Sequence, residues 1–223
     1  MMITEAKKAE KVALAKAHVE AERLISGVYV SFIEGRKGCS VGCDAIDIAA
    51  AKGENAKNEG IHAYVADYFG TPEWLEHLRD AVFEGLPKKE RADWHVNIAE
   101  ALPVGVDFEP IRHRIHRDIL LEVAAKSIGD GGEEWREQCR SEVNSVAALH
   151  EKSLSGKIVD EEWSAARAAA EEEAAAWSAA AASKKARSAA RSAATASKKA
   201  RSAAAAYQKI AEIVLKHLRE AGQ

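Results

Sequence analysis

Proline is scarce in this chain, with four residues in all, and neither proline nor glycine occurs between Asp160 and Ala221. That absence excludes tight turns from the C-terminal third and predicts uninterrupted helix there. Cysteine is also sparse. Three residues is an odd number, which argues against a disulfide framework and for reduced thiols. No run of about 18 apolar residues exists, so no transmembrane helix and no membrane association is expected. The Lys- and Glu-rich N-terminus has no apolar segment, so no signal peptide is expected, and the expected location is cytoplasmic. Charge of one sign is lacking too: 32 basic and 35 acidic residues leave a net charge of -3. Overall charge therefore favours neither a nucleic acid nor a membrane surface as partner. Aromatics make up only 6% of the residues, while alanine abounds, which favours helix.

The fold expected is all-α, with the strand candidate Val28–Ile33 forming one short β-hairpin near residues 28–38. Helices are predicted over 4–26, 44–52, 61–69, 71–85, 87–102, 108–127 and 133–153. The start after Gly70 is well marked: Thr71 can cap it, Pro72 suits the first helical position and Glu73 suits the positive end of the dipole. Two parts follow from this reading, a compact helical domain over 1–155 and a long alanine-rich helix over 156–223. At about 1.5 Å per residue, unbroken helix from 160 to 221 approaches roughly 90 Å.

That helix carries an internal echo. Trp163-Ser164-Ala165-Ala166 recurs at Trp177-Ser178-Ala179-Ala180. Alanines at 175, 179, 182, 186, 189, 193, 196, 200 and 203 alternate steps of three and four, and the series continues through Tyr207, Ala211, Val214 and Leu218. This is close to a heptad seam and predicts packing on the chain's own domain, self-association giving a homo-oligomer, or packing on a partner helix. Trp163 and Trp177 lie away from the seam and are expected to dock on the N-terminal domain. Lys184, Lys185, Arg187, Arg191, Lys198, Lys199 and Arg201 form a basic face with no acid among them. An ion-paired or solvated face, a nucleic acid and an acidic protein partner all fit it.

The densest cluster of special residues is Gly35-Arg36-Lys37-Gly38-Cys39-Ser40-Val41-Gly42-Cys43. Four readings stay open. Cys39 and Cys43, with His62, can offer soft ligands to zinc. Arg36, Lys37 and the amides around Gly38 and Gly42 can hold an anion such as a nucleotide phosphate. Or both cysteines are small buried residues of a glycine-permitted turn. A thiol nucleophile would need a nearby base, and His62 is the candidate. His113 and His116 sit among Arg112, Arg114 and Arg117 and are read as part of a solvated basic face.

With these residues laid out, the chain resembles an uncharacterised family of bacterial and phage proteins. The matching blocks are Gly38-Cys39-Ser40-Val41-Gly42-Cys43, Gly70-Thr71-Pro72-Glu73-Trp74-Leu75, Phe83-Glu84-Gly85-Leu86-Pro87, Ala101-Leu102-Pro103-Val104-Gly105-Val106-Asp107, and Ala148-Leu149-His150 followed by Glu162-Trp163-Ser164-Ala165-Ala166-Arg167. The resemblance implies a mostly helical protein of phage or prophage type and carries no catalytic residues with it. The function expected is non-enzymatic: binding through protein–protein contact, with counter-defence against a host nuclease or immune effector as its phage-type form. A small-molecule or nucleotide binder at the Gly/Cys turn, a nucleic-acid binder through the basic helix, and an enzyme with a thiol or metal centre at that turn are the alternatives.

Overall fold

Thr4 opens the first helix, its hydroxyl accepting from the amide of Lys7 at 3.3 Å with Glu5 in the first turn, an arrangement that satisfies an orphan donor and suits the dipole. In this computed structural model, which describes residues 2–31, 36–126, 128, 132–156, 161–165 and 192–223, the elements run in order. They are α1 (Glu5–Glu20), β1 (Val30–Ser31), β2 (Lys37–Gly38), α2 (Ser40–Ala51), α3 (Ile61–Phe69), α4 (Glu73–Gly85), α5 (Lys88–Ala101), α6 (Glu109–Ile119), a π-helical turn (Leu120–Ala124), α7 (Glu133–Leu154) and α8 (Ser192–Ala221). The fold is all-α with one short antiparallel hairpin, Val30 opposite Gly38 and Ser31 opposite Lys37.

The first helix is shorter than its periodicity predicts. It stops at Glu20, and Glu22 turns left-handed at φ 50°. Residues 23–25 then run extended beside β2, because Ile25 donates to the Gly38 carbonyl at 2.9 Å and Gly38 donates to Arg23 at 3.1 Å. The partner missing from the strand reading is therefore β2 together with this segment. Thr71 departs from its expected role as well. Pro72 is the N-cap of α4 and no side chain caps it. The Thr71 hydroxyl instead donates to Glu76 at 2.6 Å.

The chain divides into two compact units, 1–111 with 207–223, and 112–206. In the first, α2 is the centre. It is buried on nearly every side, from Ser40 to Ala49, as expected of a helix apolar around most of its circumference. Val65 and Phe69 of α3, Leu75, Val82 and Phe83 of α4, and Trp94 and Ile98 of α5 complete the core. The tail's last turns belong to this core too: Val214 and Leu218 are fully buried, and Gln208 donates to the Glu90 carboxylate at 2.8 Å. The Tyr207 ring lies so close over Gly85 that a Cβ there would meet it at 2.2 Å. The second unit contains α7, most of α6 and residues 161–165. Trp163 docks there, against His150 at 4.8 Å and His113 at 6.0 Å between ring centroids. No helix among the described residues is long and apolar enough to cross a membrane.

Candidate functional site

Beneath α2 lies a polar layer that hydrophobic periodicity hides. Lys11 from α1 reaches Asp44 of α2 at 3.0 Å and Glu76 of α4 at 3.2 Å. Arg79 pairs with the same two carboxylates at 2.8 and 2.9 Å. All four side chains are 2% exposed or less. Burial alone would raise the Asp44 and Glu76 carboxyls, but Lys11 and Arg79 outweigh it and hold both below the usual carboxylate range. The Lys11 ammonium also lies 4.0 Å from the centre of the Phe69 ring. Two cations facing two anions make a neutral quartet, the condition under which buried charge is tolerated.

A hydrogen-bonded chain runs alongside. Ser40 Oγ is 2.9 Å from His95 Nδ1, His95 Nε2 is 3.0 Å from His18 Nδ1, and His18 Nε2 is 2.8 Å from Asp47 Oδ2. Burial pushes His95 well below its ordinary value, so it is neutral. One set of tautomers satisfies every member: Ser40 donates to His95, His95 Nε2–H to His18, and His18 Nε2–H to Asp47. Asp47 also accepts from Arg23 at 2.8 Å. Hydrogen bonds from His18 and Arg23 overcome the effect of burial and hold its carboxyl at about 2.

Next to this layer is a cleft of about 680 Å³, between the end of α1, residues 24–26, β2 and the start of α5. Its lining includes the buried His18 with Leu24, Ile25, Lys37, Lys88 and Arg91. Arg91 is pinned by three bonds to neutral acceptors, the carbonyls of Leu86 and Glu84 and the Ser26 hydroxyl. Its charge is thus fixed in place, and among the described residues no carboxylate pairs with it. Among the described residues Lys37 and Lys88 form no ion pair, and Glu22 is the acid in the lining.

The Gly/Cys motif is split by the fold. Gly38 and Gly42 press against the Tyr29 main chain: a Cβ at Gly38 would come within 2.2 Å of the Tyr29 carbonyl oxygen and one at Gly42 within 1.5 Å. The glycines are required by this close approach. The amides near them are already engaged, Cys39 N–H by the Val28 carbonyl and Gly42 N–H by Cys39 Sγ. The Arg36 guanidinium donates to the Ile46 carbonyl. Of the residues read as an anion site, Lys37 is the one that lines the cleft.

The two cysteines also part company. Cys43 Sγ donates to the carbonyls of Gly38 and Arg23, and burial pushes its thiol up to about 12. Cys39 faces Asp80, and burial together with that carboxylate raises its thiol far above the ordinary value. Neither is an activated thiolate. His62, the other expected ligand, lies 3.4 Å from Asp80 and stacks on His77 at 3.8 Å. Cys39 and His62 therefore converge on one carboxylate, while Cys43 does not join them.

In the second unit, His113 and His116 do not form the solvated basic face expected of them. His113 Nδ1 is 2.8 Å from His150 Nδ1, and the His116 ring lies 5.3 Å from that of His150. Burial lowers both His116 and His150 to about 4, with Arg112 and His113 adding to the effect. Both are neutral when folded and titrate near 6.5 when unfolded, so unfolding takes up protons below about pH 6.5. Stability is complete above that value and declines as pH falls toward about 4. After discounting for solvent screening, a loss of about 2 kcal/mol between about pH 7 and pH 5 is expected in urea denaturation. Substituting Leu for both histidines should flatten that part of the profile.

Lys184, Lys185, Arg187 and Arg191 of the expected basic surface, like Trp177, lie outside the described residues. Lys198, Lys199 and Arg201 fall on the backbone of α8. Compared with family models, curated proteins and solved structures, the chain matches none.

Proposed function

We propose that the protein binds a small organic anion, of nucleotide size and bearing phosphate or carboxylate groups, in the cleft lined by Lys37, Lys88 and Arg91. The observation that carries this is Arg91, a cation held among the described residues by three neutral acceptors at the edge of a 680 Å³ cleft. Such a group needs no rearrangement to meet an anion, and preorganisation of this kind adds affinity. The volume lies within the roughly 300–1,000 Å³ typical of small-molecule sites. Leu24 and Ile25 supply apolar wall for the organic part.

The test is calorimetric titration of the full chain with ADP, pyrophosphate and citrate. At least one should give saturable heat that weakens as salt is added. Charge reversal at both lysines, K37E with K88E, should cost at least about tenfold in affinity, or 1.4 kcal/mol. Failure of all three probes ends this reading in favour of contact with a partner protein, the class to which a counter-defence role belongs. The observation behind that second reading is the pair Val28 and Tyr29, apolar side chains left 44% and 42% exposed.

A further inference from the structure

Among the described residues, two groups of side chains place three ligand atoms within 4.8 Å of one another: His18, Asp44 and His95, and Cys39, Asp80 and Glu84. Charge separates them. Asp44 already faces Lys11 and Arg79, and Asp47 behind His18 already faces Arg23. A divalent ion added there would sit unbalanced in a layer whose charges already cancel, and the histidines satisfy each other without it.

The second group is the reverse. Among the described residues no Lys or Arg comes within ion-pair distance of the Asp80 or Glu84 carboxylate, and His62 is the one basic partner, at 3.4 Å from Asp80. Arg91 reaches Glu84 only at its main-chain carbonyl. Asp80 has an 8% exposed side chain, and among the described residues its Oδ1 makes no hydrogen bond. Glu84 accepts from the Gly27 amide, at 2.9 and 3.1 Å to its two oxygens. Asp80 and Glu84 are four residues apart on α4, so like charges are stacked on one helix face, which is unfavourable unless a cation lies between them. A cavity of about 280 Å³, lined by Gly27, Val28, Tyr29, Asp80 and Glu84, leads to the spot.

We propose that Cys39, Asp80 and Glu84 form a zinc site, with His62 beside Asp80 in its outer shell. A thiolate and two carboxylates carry three negative charges, enough to compensate a divalent ion, and the sulfur selects zinc over magnesium or calcium. Bonds of about 2.0–2.3 Å require the ligand atoms to close by roughly 1 Å, a side-chain-scale movement. On binding, the Cys39 S–H bond breaks, the sulfur lone pair bonds the metal, and the proton leaves to solvent. Three protein ligands leave a fourth position facing the cavity, open to water or a further ligand. His62 Nε2 lies 3.4 Å from Asp80 and makes no hydrogen bond among the described residues, so on metal binding it is free to become the outer-shell donor that orients a metal carboxylate.

Cobalt reports directly on this arrangement. Full-length protein stripped with chelator should take up one equivalent of Co²⁺ with a thiolate-to-cobalt charge-transfer band in the near ultraviolet, and Zn²⁺ should displace it. C39S should lose the band, and C43S and C139S should keep it. D80N and E84Q should each weaken uptake at least about tenfold, and H62Q by about tenfold. No band in the unaltered protein, or a band surviving in folded C39S, overturns the site. Should C39S fail to fold, as loss of a buried N-cap can cause, D80N and E84Q decide: unchanged affinity in both overturns it equally.

Discussion

Asp44→Asn is expected to lower the stability of the protein by about 3–5 kcal/mol, the cost of leaving buried charge uncompensated. Asn keeps the size of the side chain, so the loss is electrostatic rather than a cavity effect. With it, Lys11 and Arg79 would share Glu76 alone, and the buried quartet would carry a net positive charge. The double variant K11M with D44N restores neutrality by leaving the matched pair Arg79–Glu76. It should therefore be less destabilised than the sum of the two single changes, with a coupling energy of about 1–3 kcal/mol. Urea denaturation followed by circular dichroism measures all four corners of the cycle. Additive losses would mean that Lys11 and Asp44 are not electrically coupled. The acid limb has a definite sign as well. Asp44 and Glu76 are held below their unfolded values, so their contribution is present above about pH 4 and is lost as pH falls through the folded values.

What the sequence conceals is where this layer lies, and the reason is physical. Apolar periodicity assigns charged residues to the surface, and in α1 it selects Val12, Leu14 and Val19. The line that is buried is Lys11, Ala15 and His18. A trace of it is nevertheless legible. Asp44 and Asp47 interrupt a helix that is otherwise apolar almost all round, and a carboxylate in such a setting must be matched by a cation. Asp80 and Glu84, like charges one turn apart, give a similar hint that Cys39 has partners other than Cys43. Local chemistry is easier to see. Thr4 capping α1, Gly70 at φ 76° ending α3, Pro87 opening α5, and the β-branched run before the glycine turn are all settled by neighbours in the chain. So is the buried spacing of Ala211, Val214 and Leu218. The pairing of Lys11 with Glu76 is not, because the two residues are 65 positions apart in sequence and meet only in the folded core.

Gly42→Ala shows how far tertiary context can reverse a local preference. On helix propensity alone the change should stabilise α2 by about 0.5–1 kcal/mol. In the structure the added Cβ would lie 1.5 Å from the Tyr29 carbonyl oxygen and 2.6 Å from its carbonyl carbon. Those are main-chain atoms, so no rotamer change relieves the clash and residues 28–30 must withdraw. Withdrawal puts two things at risk: the bond from Cys39 N–H to the Val28 carbonyl, 2.9 Å long, and the pairing of Val30 with Gly38. It also draws Tyr29 off the edge of His62, from a ring separation of 5.6 Å. A net loss of about 3 kcal/mol is expected, at the upper end of what overpacking costs, with faster amide exchange at Gly38 and Cys39. Gly53→Ala is the matched control. Gly53 sits at φ 72°, and a Cβ added there would have nothing within 4 Å, so alanine meets only backbone strain of about 1–2 kcal/mol. Equal losses from the two substitutions would mean that Tyr29 does not lie against α2, and the hairpin would then have no reason to demand glycine.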